Sequence, residues 1–441
     1  MAGTDGPRVV ALCAGYGGLE TALEWALGAR AVVFAEMDPF AASVFSAHHP
    51  GVPNLGDITT LDAEDWYHLR QAYAPDVVAA GFPCQDISNA GKRVGIGGKR
   101  SGVWKNVAAA VRVLRPRLVF LENVAAIRSR GLDVVAADLA ALGYDARWTC
   151  VRAGDPAIGA PHPRDRWFAL AYPAAQDADL AAWRERWTAA PGQAESRRAR
   201  PDTGGRSLLP APGGAVGGVN LLPTPAARDW KSGASNLLGT NSRPLNEVVV
   251  NLLPTPVVVD ARGTANFRPD GTPYGSGCGM TPTDAARLLL PTSPASGTGA
   301  VPALLPTPKA SDGPHGGPNQ RDTQGRYYLP GQAVRLDERW VATDGTDYGP
   351  AVRRWERVTG HPAPCPTEPG TRGNRRLNAA FAEWMMGLAP GYVTGLGLPR
   401  KEELRTIGNG AVSRHAHHAY GLLLQVPATA AGADSATEAA A

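Results

Sequence analysis

Four side chains stand where chemistry could be done. Cys84 lies in GFPCQDIS, Gly81 to Ser88, behind a proline and directly after the apolar run DVVAA. Glu122 lies in LENVAAI, after the run LVFL. Arg164 and Arg166 alternate in GAPHPRDRWFALA, so an extended segment would turn both to one side. Proline stiffens the turn before the thiol and fixes its direction. A nucleophilic cysteine and an acid in one crevice suit attack on a heteroaromatic ring, the acid protonating a ring nitrogen. Two guanidiniums on one side can hold a carboxylate and a phosphate or carbonyl. Each residue also has a plain reading. A lone intracellular cysteine is more often buried and structural, Glu122 could answer a helix dipole, and the arginines could be a surface charge pair.

A second group of residues offers a binding loop. AGYGG, Ala14 to Gly18, follows the apolar run RVVALC and precedes a helical pattern, Leu19 to Leu27. Glycines let a backbone approach a ligand closely, and the helix behind them presents free N–H groups. Glu36 ends the next apolar run, AVVFA, where an acid commonly bonds ribose hydroxyls. Asp57, in LGDIT, falls where a third strand brings an acid to an adenine amino group. The loop is not GxGxxG, which disfavours NAD. TIGNGAV, from Thr406, marks a tight turn at Asn409 before a helix. His415, His417 and His418 follow without a companion Cys or acid at ligand spacing. They are read as solvent-exposed helix residues, and no metal site is expected.

The elements that must position these groups are short apolar strands separated by helical stretches. Arg8–Cys13, Ala31–Ala35, Asp76–Ala80, Leu118–Leu121 and Trp167–Ala171 read as strands. That alternation predicts a doubly wound α/β sheet. From about Ala189 the helical period disappears and Gly, Pro, Ser and Thr become dense. A motif recurs there: LLPTPAARDW from Leu221, LLPTPVVVDARG from Leu252, LLPTSPASG from Leu289 and LLPTPKASDG from Leu304. The spacing, roughly 15–37 residues, is too irregular for a solenoid. The copies read either as duplicated linker or as a loop-rich recognition domain with polar tips. Arg228, Trp230, Lys231, Arg262 and Lys309 follow the apolar anchors and favour the second reading. Order returns near Arg375, with Phe381, Trp384, Met385 and Leu388 on one helix and a second helix after Gly410.

Composition sets the limits. The chain has 441 residues, 44 Lys plus Arg and 40 Asp plus Glu, a net charge of +4. That charge permits a nucleic-acid partner without demanding one. Five scattered cysteines form neither a disulfide framework nor a zinc pattern. No apolar run approaches a membrane span and no secretory signal is evident, so a cytoplasmic location is expected.

Taken in order, these segments resemble the DNA cytosine-C5 methyltransferase family of the bacterial and phage restriction-modification type. The resemblance covers about Arg8 to Tyr172 and Arg375 to Leu424. It implies a Rossmann-like, S-adenosylmethionine-dependent methyltransferase sheet with a smaller, loop-rich target-recognition domain. The implied layout is residues 1–190 for catalysis and cofactor binding, 191–374 for target recognition, 375–426 to complete the catalytic domain, and 427–441 as a disordered tail. By this resemblance Cys84 is the nucleophile that adds to C6 of a flipped-out cytosine and Glu122 the acid at N3. Arg164, more than Arg166, is the residue expected to hold Glu122 and the nucleotide. Ala14, Gly15, Tyr16, Gly17, Gly18, Glu36, Met37, Asp57, Ile58, Pro83, Val103, Asn409 and Ala411 are the implied cofactor contacts. Cys13 stands where an aromatic is usual, which loosens packing on the cofactor but removes no polar contact. His162 stands where many members have Gln. Gln85, Ser88, Arg228, Lys231, Arg262 and Lys309 are the expected DNA contacts. The implied partner is double-stranded DNA, near the nucleoid. A separate restriction endonuclease is an expected companion, and the enzyme is expected to act as a monomer. The alternatives are an RNA cytosine-C5 methyltransferase and a non-catalytic DNA-binding protein that keeps the fold. The RNA enzymes that use a different cysteine would place it in the segment occupied here by LENV, which has none. A non-catalytic relative would be signalled by loss of Cys84 or Glu122, and both are present.

Overall fold

The computed structural model describes residues 6–83, 103–176, 179–191, 302–314, 316–370 and 373–425. Its centre is a six-stranded sheet in the order β2-β1-β3-β4-β6-β5. The strands are β1 (Arg8–Leu12), β2 (Arg30–Ala35), β3 (Val77–Gly81), β4 (Leu118–Val124), β5 (Tyr144–Arg152) and β6 (Asp165–Pro173). β1 to β4 run parallel, while β6 is antiparallel to both β4 and β5. The sheet is therefore mixed, and the strand order reverses between β1 and β3. Ligands bind at such a switch point, outside the carboxyl ends of the strands.

The core strands are apolar on both faces, as expected for strands covered by helices. Val10, Leu12, Val78, Ala80, Val119 and Leu121 pack on one side with Trp66 and Trp104. Those tryptophans come from α3 (Ala63–Tyr73), which follows α2 (Pro39–His48), and from α4 (Val103–Leu114). Val9, Val77, Ala79 and Phe120 pack on the other side with Leu23, Ala416, Tyr420 and Leu423. These last come from α1 (Gly18–Leu27) and the helix Ser413–Gln425. The C-terminal helix thus packs on the same face of the sheet as α1.

Two features depart from the sequence reading. β5 was not anticipated: it is an edge strand with several exposed positions, so it lacks an apolar run. Residues 302–374 fold in the same compact unit as the N-terminal domain. They carry the helix Gly349–Thr359, whose Ala351, Val352 and Trp355 are buried while Arg353 is exposed. They also supply Leu305, Leu329 and Leu336 to a core shared with Phe381, Trp384 and Ile407. The first three LLPTP copies and the segment from 426 lie outside the described residues.

Candidate functional site

β1 delivers the glycine loop to the switch point. Cys13, Gly15 and Gly17 take φ of 53°, 58° and 91°, so the chain turns through left-handed conformations before α1 begins at Gly18. Gly18 faces the C-terminal turn so closely that a Cβ there would lie 2.2 Å from the Ala411 oxygen. Tyr16 is fully buried and its hydroxyl donates to the Ala411 carbonyl at 2.6 Å. The sequence placed Tyr16 against the cofactor. Its side chain forms a joint between the loop and the C-terminal turn. Asn409, exposed, ends the helix Arg400–Asn409 just before that turn.

Glu36 sits at the end of β2 and braces the loop. One carboxylate oxygen accepts from the Gly15 N–H at 2.9 Å, the other from the Asp38 N–H at 2.8 Å. Burial raises its pKa, and those two N–H groups oppose the shift. Beyond it, Met37 is 72% exposed. Asp57 caps a single turn, Ile58–Thr60, by accepting from the Thr59 N–H at 2.9 Å, and Ile58 is buried. The Cys13 thiol is pushed up to about 12 by burial and by the charges of Glu36 and Asp57. Cys13 therefore stays a thiol at neutral pH and is no nucleophile.

This set fits S-adenosylmethionine. A Cβ on Gly15 would meet nothing within 4 Å, so the loop is open on that side. The two acids suit hydroxyls, an amino group and a sulfonium charge, and exposed Met37 offers an apolar surface to a base. Val103, half-buried, opens α4 and packs on the sheet core.

The second half of the site lies at the ends of β3 and β4. Gly81 is the register partner of Glu122. A Cβ on Gly81 would sit 3.6 Å from a Glu122 carboxylate oxygen. Glu122 pairs with Arg166, Nε to Oε1 at 2.9 Å, with side-chain exposures of 13% and 20% respectively. Three residues beyond Gly81 along the chain comes Cys84. Cys84, Gln85, Ser88, Arg228, Lys231 and Arg262 all lie outside the described residues. Pro83, half-buried, is the last described residue before Cys84.

The arginines divide their work, which corrects the expectation that Arg164 holds Glu122. Arg166 is inside β6 and reaches the acid. Arg164 precedes the strand by one residue, is 4% exposed, and turns toward the C-terminal loop. Its guanidinium donates to the carbonyls of Gly410 (2.5 Å), Gly408 (3.4 Å) and Pro308 (3.4 Å). Its backbone N–H donates to Thr307 Oγ1 at 3.2 Å. His162 beside it is fully buried and donates from Nε2 to the Met385 carbonyl at 3.0 Å. Burial and the Arg164 charge hold its pKa down to about 3, so it is a neutral brace.

The exposed reading of the C-terminal histidines is also corrected. His415 and His417 are buried, each with Nε2 donating at 2.8 Å, to Val151 O and Thr188 O respectively, and His418 is half-buried. Burial lowers the pKa of both His415 and His417. The helix that carries them is covered on several sides, so helical spacing alone misjudges its exposure. Among the described residues no cluster of His, Cys, Asp or Glu could hold a metal ion.

Sequence reasoning missed Asn123. It is 1% exposed, and its Nδ2 donates to the Phe82 carbonyl at 3.1 Å while its Oδ1 accepts from Val124 N–H at 2.8 Å. It thereby pins the strand end that leads into Pro83 and Cys84. The available signal was a second polar residue directly after Glu122, at the end of the apolar run LVFL. Tyr420 was missed too; its hydroxyl donates to Leu121 O at 3.0 Å, next to Glu122.

Comparison with known proteins bears on the same stretch. Residues 8–199 match the family model of C-5 cytosine-specific DNA methylase. This stretch is similar to that domain. It carries β1 to β6, and so both the glycine loop and the Glu122–Arg166 pair. The Type II methyltransferase M2.BsuMI of Bacillus subtilis (strain 168) is 35% identical over 172 residues, 37% of this chain and 41% of the relative. The Type II methyltransferase M.CviJI of Paramecium bursaria Chlorella virus IL3A is 32% identical over 165 residues, 37% of this chain and 42% of that one. The matches thus span less than half the length of these relatives. Among solved structures, the S. pombe Dnmt2 methyltransferase superposes with a TM-score of 0.47 at 16% identity, covering 95% of this chain and 98% of that one.

Proposed function

We propose that the chain is a DNA (cytosine-5-)-methyltransferase acting through a covalent Cys84 adduct on a flipped-out cytosine. The observation that carries the reading is the Glu122–Arg166 pair beside the end of β3, the strand that runs on to Cys84. Cytosine C5 is a weak nucleophile. The Cys84 thiolate adds to C6, Glu122 passes a proton to N3, and the ring becomes an enamine reactive at C5. Arg166 holds the Glu122 carboxyl toward that nitrogen. S-adenosylmethionine, held by Gly15, Glu36, Met37 and Asp57, supplies the methyl group. Loss of the C5 proton to a base, with the N3 proton returning to Glu122, then expels Cys84 from C6 as a thiolate and restores the aromatic ring. The ring is out of reach inside a duplex, so the target nucleotide is turned out of the stack.

Target recognition falls to the LLPTP region, with Arg228, Lys231, Arg262 and Lys309 as contacts, and Gln85 and Ser88 close to the vacated stack. A companion restriction endonuclease, monomeric action and a cytoplasmic, nucleoid-associated location belong to the same proposal. Among the described residues no helix is long and apolar enough to cross a membrane. The test is transfer of tritiated methyl from the donor to duplex DNA and to RNA. Label in DNA at cytosine C5 is the expected result, and label in RNA alone would overturn the proposal.

A further inference from the structure

The fourth LLPTP copy, from Leu304, lies within the described residues. Leu305 is fully buried, and its N–H donates to the Pro161 carbonyl at 2.8 Å. Thr307 Oγ1 and the Pro308 carbonyl are both bonded by Arg164. Asp312 is 4% exposed and accepts from the Lys309 N–H at 2.8 Å, closing the turn. Leu305, Thr307, Pro308 and Asp312 are thus each tied down in this copy, by burial or by a hydrogen bond. The copies from Leu221 and Leu252 keep this sequence frame, LLPTP followed by aspartate at the ninth position (Asp229 and Asp260), and vary in the three positions between, AAR and VVV against KAS. In the fourth copy those three are Lys309, Ala310 and Ser311, and all three line a cleft of about 570 Å³.

The other wall of the cleft is the arginine motif, with Arg152, Asp165 and Arg166. Arg152, Lys309 and Ser311 are exposed, and Arg166 joins the cleft to Glu122. The Lys309 ammonium lies 4.3 Å from the centroid of the Tyr328 ring, which holds the long side chain in one place. Four cationic side chains line the cleft, Arg152, Arg164, Arg166 (paired with Glu122) and Lys309, against the single acid Asp165, which makes it a seat for an anion.

We propose that this cleft seats a backbone phosphate of the strand that carries the target cytosine, with Lys309 and Arg152 as its charged contacts and Ser311 as a hydroxyl donor. The inference rests on the methyltransferase reading above and assigns one of its DNA contacts. The anchored frame fixes the tripeptide against the same motif that carries Arg166. A phosphate there lies alongside the Glu122–Arg166 pair, and the strand is brought to register with the catalytic acid. Such contacts position a strand without reading its sequence.

The test uses the full chain and a fluorescein-labelled duplex of mixed sequence, with affinity measured by anisotropy across a salt series. Each phosphate contact adds about 0.9 to the slope of log K against log salt. Lys309→Gln and Arg152→Gln are expected each to lower that slope by about 0.9 and to weaken binding on every duplex alike, with an unchanged melting temperature. Arg339→Gln removes an exposed charge outside the cleft and is expected to keep the wild-type slope. If wild type binds and methylates DNA while both cleft variants keep its slope and affinity, the cleft assignment is overturned alone. An equal fall in Arg339→Gln assigns the effect to net charge and overturns it as well. Wild type that neither binds nor methylates duplex DNA overturns the functional reading together with the cleft.

Discussion

Replacing Arg164 with lysine separates positioning from chemistry at this site. Arg164 is almost wholly buried, and its short contact is the 2.5 Å bond to the Gly410 carbonyl. A charge-assisted bond of that kind is worth about 1.5–3 kcal/mol net. The bonds to Gly408 and Pro308, at 3.4 Å, are long and add about 1 kcal/mol together. A lysine ammonium is a point charge that cannot span all three carbonyls. The loss in Arg164→Lys is therefore about 2–3 kcal/mol, or about 5 °C in melting temperature for a domain of this size. The freed turn, Gly410 to Ala411, is the one that seats Tyr16 and the glycine loop. Cofactor affinity should fall with it, by about tenfold if half of that energy is felt there. Turnover at saturating cofactor and DNA should stay within about threefold of wild type, since Arg164 does not touch Glu122. Thermal melting and steady-state kinetics at varied cofactor check this directly. A loss of turnover greater than about 100-fold, with melting temperature and KM unchanged, would refute the positioning role and return Arg164 to the chemistry.

Two further outcomes follow from the buried groups. Glu20, in the first turn of α1, is 4% exposed, and burial pushes its pKa up to about 8 from an ordinary 4.5. Between those values the unfolded chain is ionised and the folded chain is not, so stability is greatest below about pH 4.5 and falls as pH rises to about 8. Glu20→Gln should thus gain about 3–5 kcal/mol over wild type at pH 8 and almost nothing at pH 4.5, read from melting curves across pH. Equal shifts at both pH values would contradict it. Asn123→Ala removes two buried hydrogen bonds and should cost about 2 kcal/mol. It should also lower kcat tenfold or more through the freed Phe82 carbonyl, while cofactor binding by calorimetry stays within about twofold. Unchanged kcat would remove Asn123 from the site.

Much of this arrangement was legible because the central strands are buried on both faces. Val9 to Leu12, Val77 to Ala80 and Leu118 to Leu121 are continuous apolar runs, and the residues that end them are the site. β5 was not legible, since an edge strand keeps polar side chains on its open face. The helix Gly349–Thr359 was hidden by the Gly- and Pro-rich composition around it, although its buried face follows helical spacing. The arginine pair misled for a local reason. Alternation holds only inside a strand, and β6 begins at Asp165, one residue after Arg164. The histidines misled because a helix covered by α1, β5 and β6 has little open face. The LLPTP frame could be seen as a repeat, but only the structure shows that Arg164 holds Thr307 and Pro308 of the fourth copy in place.

Cys84→Ser is the most direct test of the central claim. Wild type and variant are assayed side by side for transfer of tritiated methyl to duplex DNA and for DNA binding by anisotropy. The covalent mechanism requires methylation to vanish in the variant while binding survives, because serine keeps the shape of the turn but not the thiolate. Methylation at an unchanged rate in Cys84→Ser would contradict it.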